Sequence, residues 1–130
     1  MIQILKKIPF FKDLPEGDLA KIAEKTQMQY FGPDHVIFEE GGPGDIMYII
    51  KRGSVQVIRD QAIIAELSDN DFFGEMALVS DETRNATIKT ITEIELLTLN
   101  KYDFRELLQT NPDIAAMVSY EVVKRANANS

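Results

Sequence analysis

Two short stretches hold the residue types best suited to chemistry: Phe73-Gly74-Glu75-Met76-Ala77-Leu78 and, nine residues past the glutamate, Arg84-Asn85-Ala86-Thr87. Gly74 lets backbone approach a bound molecule without a Cβ in the way. If Glu75 to Leu78 begin a helical turn, its first N–H groups converge on one spot and favour an anion. Arg84 adds a planar, two-pronged donor matched to phosphate oxygens, and the N–H groups of Asn85 and Ala86 can extend a nest around them. Glu75 repels phosphate, so its partner is a hydroxyl, such as a ribose 2′-OH, or Arg84 itself. A phosphate joined to a ribose with a free 2′-hydroxyl satisfies both charged residues. By residue type alone, a turn plus a surface ion pair accounts for the same pattern.

Other residues offer less. His35 is the single histidine and follows Pro33-Asp34 in a turn; with no cysteine in the chain, a zinc–thiolate centre is excluded and a multi-histidine metal site, as in a cupin-like enzyme, lacks ligands. No base is patterned beside Ser54, Ser68 or Ser80, so nucleophilic catalysis has no support. Asp69, Asp71, Asp81 and Glu82 read as solvated loop acids. The sequence therefore names no catalytic residue, no metal ligand and no cofactor, and the expectation is a protein that is not an enzyme.

The 130 residues fit a single domain and carry a formal net charge of −7. Such an acidic surface argues against nonspecific binding to nucleic acid or anionic membrane, which needs clustered Lys and Arg. Met1 to Lys7 lack the apolar run of a signal peptide, and no apolar stretch reaches the roughly 18 residues of a membrane span. A soluble, cytoplasmic protein is expected.

Three textures follow one another. Residues 1–27 read as a helical segment: a short helix over Ile2–Leu5, then a second with Pro15 in its first turn and Leu19, Ile22 and Ala23 on one face. Residues 28–99 alternate short apolar runs with turn residues. Strands are expected over Val36–Phe38, Ile46–Ile50 (buried), Val55–Val57, Ala62–Leu67, Thr87–Thr90 and Glu93–Leu99. Turns are expected at Gly41-Gly42-Pro43-Gly44-Asp45, Arg52-Gly53 and Asp60-Gln61. This texture, with these six and seven or eight short strands in all about ten residues apart, suggests a sandwich or jelly roll. Residues 100–130 read as two helices. Asn100 caps the first, with Asp103 in its first turn and Phe104, Leu107 and Leu108 on its apolar stripe. Asn111-Pro112 starts the second, which carries Ile114, Met117, Val118 and Val122 and frays from Ala126.

With these residues in place, the chain resembles the cyclic nucleotide-binding domains of catabolite-activator-type regulators, cyclic-nucleotide-gated channels and regulatory subunits of cyclic-AMP-dependent kinase. Residues 73–87 resemble that family's phosphate-binding cassette, with matching Glu-to-Arg spacing. The likeness continues through Phe31-Gly32-Pro33, Val36-Ile37-Phe38, Glu40-Gly41, Gly44-Asp45, Tyr48-Ile49-Ile50 and Gly53-Ser54-Val55-Gln56-Val57. It implies a mainly β fold: an antiparallel, jelly-roll-like β-roll with an N-terminal helical segment and two C-terminal helices, the last a lid over the base. It also implies a site across Phe73 to Thr87. Glu75 takes the ribose 2′-OH and Arg84 the cyclic phosphate. Backbone N–H groups of Gly74, Ala77 and Asn85 complete the phosphate site, while Val57, Ile64 and Met76 line its apolar part. Tyr120, Val123, Asn127 and Asn129 are the candidates for the lid contact.

Thr83 stands where the family usually has proline, and Asn85 where it usually has Ala, Ser or Thr. In the family, Thr or Ser after the arginine tends to accompany a preference for cyclic GMP; Asn85 makes neither choice clearly, and the expected ligand is cyclic AMP ahead of cyclic GMP. The resulting expectation is a regulatory sensor that signals occupancy to a protein effector or partner through its C-terminal helices. A degenerate fold acting as a ligand-independent interaction module is the alternative, kept open by Thr83 and Asn85.

Overall fold

In the computed structural model, residues 2–9, 11–81 and 83–128 are described, with side chains described up to residue 120. Among them, two short helices, α1 (Ile2–Leu5) and α2 (Glu16–Glu24), precede eight strands. These are β1 (Gln27–Phe31), β2 (Val36–Phe38), β3 (Ile46–Arg52), β4 (Val55–Arg59), β5 (Ala62–Leu67), β6 (Phe72–Phe73), β7 (Thr87–Thr90) and β8 (Ile94–Asn100). A 3-10 turn, Glu75–Leu78, interrupts the strands, and α3 (Lys101–Thr110) and α4 (Pro112–Ala128) follow them. The strands form two four-stranded antiparallel sheets in the orders β1-β8-β3-β6 and β2-β7-β4-β5. The β-roll with flanking helices expected from the sequence is the observed architecture.

Strand β3 explains why the core divides in two. Its side chains alternate between faces, and both faces are covered. Met47 and Ile49 join the cluster that includes Leu5, Ile8, Phe11, Leu19 and Ile22 of the N-terminal segment and Phe104, Leu107, Ile114 and Val118 of α3 and α4. Tyr48 and Ile50 join Val55, Phe73, Ile88, Ile94 and Leu96 between the sheets. The helices at both ends of the chain thus share one core against the outer face of the first sheet. Phe11 meets Phe104 there, ring centroids 5.6 Å apart.

Local chemistry sets several boundaries. Asn100 accepts the Tyr102 N–H at 2.7 Å and so caps α3. Asp60 and Gln61 both take positive φ, 52° and 67°, as a two-residue hairpin of matching twist requires. Pro15 sits one residue before α2 and its carbonyl accepts from Asp18 and Leu19.

Asn111-Pro112 starts α4 as expected, and the Asn111 carbonyl accepts the Ala115 N–H at 3.1 Å, but the Asn111 side chain serves α3 instead. Its side-chain amide donates to Leu107 O at 2.9 Å, closing the last turn of α3, and its oxygen accepts from Lys21 at 2.9 Å. Two strands escaped the pattern. β1 is a mostly exposed edge that alternates glutamine with Met28 and Tyr30, and β6 is two residues long. Both exist because a partner strand supplies the ladder, β8 for β1 and β3 for β6. The expectations for the side chains of Val122, Val123, Asn127 and Asn129 lie outside the described residues.

Candidate ligand site

Arg84 is held from several directions. Its backbone pairs with the glycine-rich turn: Gly41 N–H donates to Arg84 O at 2.7 Å, and Arg84 N–H donates to Gly42 O at 2.8 Å. Its guanidinium donates from Nη2 to the Ile46 carbonyl at 2.8 Å and lies 4.0 Å from the centroid of the Phe38 ring. That ring leads a small aromatic group, with Tyr48 and Phe73 stacked 5.0 Å apart beside it.

Two glycines make room for the guanidinium. A Cβ on Gly44 would stand 2.7 Å from Arg84 Nε and 2.8 Å from Cζ; one on Gly74 would stand 2.7 Å from Nη1. Gly74 also takes the left-handed conformation, φ 75°, which a side chain would strain. The requirement for glycine at 74 is therefore both conformational and steric, whereas at 44 it is steric.

This seat leaves the arginine under-satisfied. Its Nε is buried and has no hydrogen-bond partner among the described residues. Burial pushes the Arg84 pKa down, and the nearby Tyr48 and Asp45 oppose that shift; a guanidinium starts so high that it stays charged. Burial likewise raises the Tyr48 phenol, with Arg84 pulling the other way. A partly buried cation with donor capacity left over is an electrostatic demand for an anion.

Arg84 lines a cavity of about 280 Å³. Phe73, Gly74, Glu75, Met76, Ala77, Asn85, Ala86 and Val57, all expected at the site, line it as well, together with Thr83. Glu75 opens the 3-10 turn on the cavity wall, so a carboxylate and a guanidinium face one space. The turn is only four residues long. Its Ala77 N–H donates to Gly74 O at 3.1 Å, so in this form that N–H, expected to meet phosphate, is used within the turn. Asn85 is held through its carbonyl, which accepts from Arg59 Nε at 3.0 Å.

Ile64 and Thr87 are not in the cavity wall. Ile64 lies on the edge strand β5, 49% exposed. Thr87 sits at the start of β7, where its hydroxyl accepts the Glu40 N–H at 2.9 Å. Tyr120 is 65% exposed on α4 and is likewise absent from the wall. Reading by residue type missed Phe38, Leu67, Phe72 and Ile88, which supply much of the apolar lining, and the role of Gly44. The available signal was a third glycine at 41–44, more than a single turn needs. Among the described residues no group of three His, Asp or Glu stands close enough to hold a metal ion.

A family model described as the cyclic nucleotide-binding domain matches residues 28–111. The chain belongs to the cyclic nucleotide-binding domain family. It is 34% identical over 126 residues to a cyclic nucleotide-gated potassium channel of Mesorhizobium japonicum, covering 97% of this chain and 35% of the channel. It is 33% identical over 106 residues to a cAMP-dependent protein kinase regulatory subunit of Yarrowia lipolytica, covering 80% of this chain and 28% of that one. The chain thus spans about a third of the length of these curated relatives. Among solved structures, the N-terminal domain of a transcriptional regulator from Streptomyces coelicolor superposes with a TM-score of 0.88 at 25% identity, over 98% of this chain and 94% of that one. The cyclic nucleotide-binding family is a regulatory, ligand-binding one, and its β-roll is the fold seen here. Among the described residues no helix is long and apolar enough to cross a membrane.

Proposed function

We propose that this domain is a cytoplasmic sensor that binds a cyclic nucleotide in the cavity beside Arg84, cyclic AMP in preference to cyclic GMP, and performs no catalysis. Arg84 takes the cyclic phosphate, Glu75 takes the ribose 2′-hydroxyl, and Val57, Met76 and the apolar wall receive the base. The observation that carries this reading is the buried Nε of Arg84, without a hydrogen-bond partner among the described residues, on a cavity wall that also presents Glu75. An isolated phosphate would answer the arginine alone; a ribose phosphate answers both groups. The preference for cyclic AMP rests on Asn85 standing where family members selective for cyclic GMP tend to carry Thr or Ser.

Occupancy is passed to α3 and α4, which share the helix-side core with Leu78 at the end of the 3-10 turn. A bound ligand shifts that arrangement only through unequal affinity for two states, and a protein effector or partner reads the result. Calorimetric titration of nucleotide-stripped protein with cyclic AMP and cyclic GMP tests this. Binding of both is expected, cyclic AMP the tighter. Absence of binding to either by folded protein would overturn the sensor reading in favour of a ligand-independent interaction module.

A further inference from the structure

Lys101 is a buried cation outside the cavity wall. It is 3% exposed and opens α3, where the positive end of the helix dipole disfavours a cation. Its contacts explain how it is tolerated. Nζ donates to the Ser80 carbonyl at 2.8 Å and to Asp81 Oδ1 at 2.5 Å. Its backbone N–H donates to the Asp45 carbonyl at 2.7 Å. Arg105, four residues on in α3, stands 3.6 Å from the same Asp81 oxygen.

These partners lie on both sides of the arginine seat. Ser80 and Asp81 belong to the loop that runs from the 3-10 turn to Arg84. Asp45 lies between Gly44, whose missing Cβ accommodates the guanidinium, and Ile46, whose carbonyl accepts from it. One residue at the start of α3 therefore grips both segments that shape the seat. Asp81 itself is open to water, its side chain 88% exposed, so its bond can be broken without opening the core. Removing the lysine, by contrast, strips the Ser80 carbonyl of a charged donor.

We propose that Lys101 is a positioning residue that latches the loop carrying Arg84 to the first turn of α3, so that the loop and the helix move together when the cavity is filled. The inference deepens the sensor reading and rests on it. Lys101→Met removes the donor, Asp81→Asn breaks the ion pairs to Lys101 and Arg105 without changing any residue of α3, and Lys101→Arg keeps the charge.

In ligand-free protein, hydrogen exchange over residues 79–86 should rise in Lys101→Met while β3 and β8 keep their protection. With cyclic AMP, Lys101→Met and Asp81→Asn should each bind roughly three- to tenfold more weakly, through faster dissociation. The double variant should be less impaired than the two single effects combined, and Lys101→Arg should restore most of the wild-type rate. Should Lys101→Met fail to fold, Asp81→Asn carries the test. A purely structural lysine would lower stability yet leave dissociation unchanged and the two effects independent, and that result overturns the latch. If the wild type binds neither nucleotide, the sensor reading fails, while exchange over 79–86 still decides whether the latch exists.

Discussion

Strands β3 and β5 look alike as sequence and are opposites as structure. Ile46-Met47-Tyr48-Ile49-Ile50 and Ala62-Ile63-Ile64-Ala65 are both apolar runs bounded by turns. β3 runs between β8 and β6 and has a buried core on each face, with Ile49 and Ile50 both fully buried. β5 is an edge, paired only with β4, and Ile63 and Ile64 are 58% and 49% exposed. An apolar run shows that burial would be favourable; whether a neighbour exists to bury it is a matter of topology. The difference also places the site. The N-terminal end of β3 supplies the Ile46 carbonyl to Arg84, whereas β5 contributes only Leu67, at its far end, to the cavity.

The sharpest contrast comes from truncating the two strands. Ile49→Ala should lose about 2–5 kcal/mol in a denaturant unfolding experiment, because it leaves a cavity in the helix-side core. A loss below about 1 kcal/mol would break the distinction drawn between the strands. Arg84→Ala should weaken cyclic AMP binding by about 1.5–3 kcal/mol, roughly 10- to 150-fold by calorimetry, since a charge-assisted bond to phosphate is removed. Unchanged affinity would mean that the end of β3 does not border the ligand.

Gly44→Ala crowds the guanidinium, and overpacking of this kind typically costs about 1–3 kcal/mol; reduced nucleotide affinity is the readout. Gly17→Ala is the control, since a methyl group there meets nothing within 4 Å. On β5, Ile64→Ser should change unfolding stability by no more than about 0.5 kcal/mol and leave nucleotide affinity unaltered. A clear loss of affinity would return Ile64 to the site.

The smallest effect is a pH dependence at Asp81. Its pKa is lowered by the hydrogen bond from Lys101 first, then by the charges of Lys101 and Arg105. A depressed carboxylate stabilises the fold above its unfolded pKa, about 3.9, and that contribution fades as pH falls through the folded value. The stability difference between wild type and Asp81→Asn should therefore be present at neutral pH and shrink towards zero in acid.

Local features were legible for local reasons. Asn100 caps α3 because its side chain reaches a backbone N–H two residues on, and Asp60-Gln61 turn because a two-residue hairpin between paired strands needs positive φ at both positions, which Asp tolerates at the first. The spacing of Glu75 and Arg84 was legible too, since residue chemistry alone asked for an anion and a hydroxyl. Phe38 was not legible. Its place over Arg84 depends on β2 pairing with β7, across some fifty residues of chain. Lys101 was not legible either, because nothing in its neighbourhood reveals that Ser80 and Asp81 fold back onto it.

By itself, then, the sequence determined the order of the helices and of six of the eight strands, the Asn100 cap and the turns, and the spacing of Glu75 and Arg84, the charged pair on the cavity wall. Those follow from backbone preferences and side-chain chemistry acting over a few residues. The tertiary structure alone decided that Ile64, in a run as apolar as β3, is half exposed. It alone decided that Gly44 and Gly74 converge on one guanidinium from separate segments, and that the helix after the roll grips the loop before Arg84. Each of these needs segments distant in sequence to meet, and side-chain chemistry at a single position carries no record of the partner it will find.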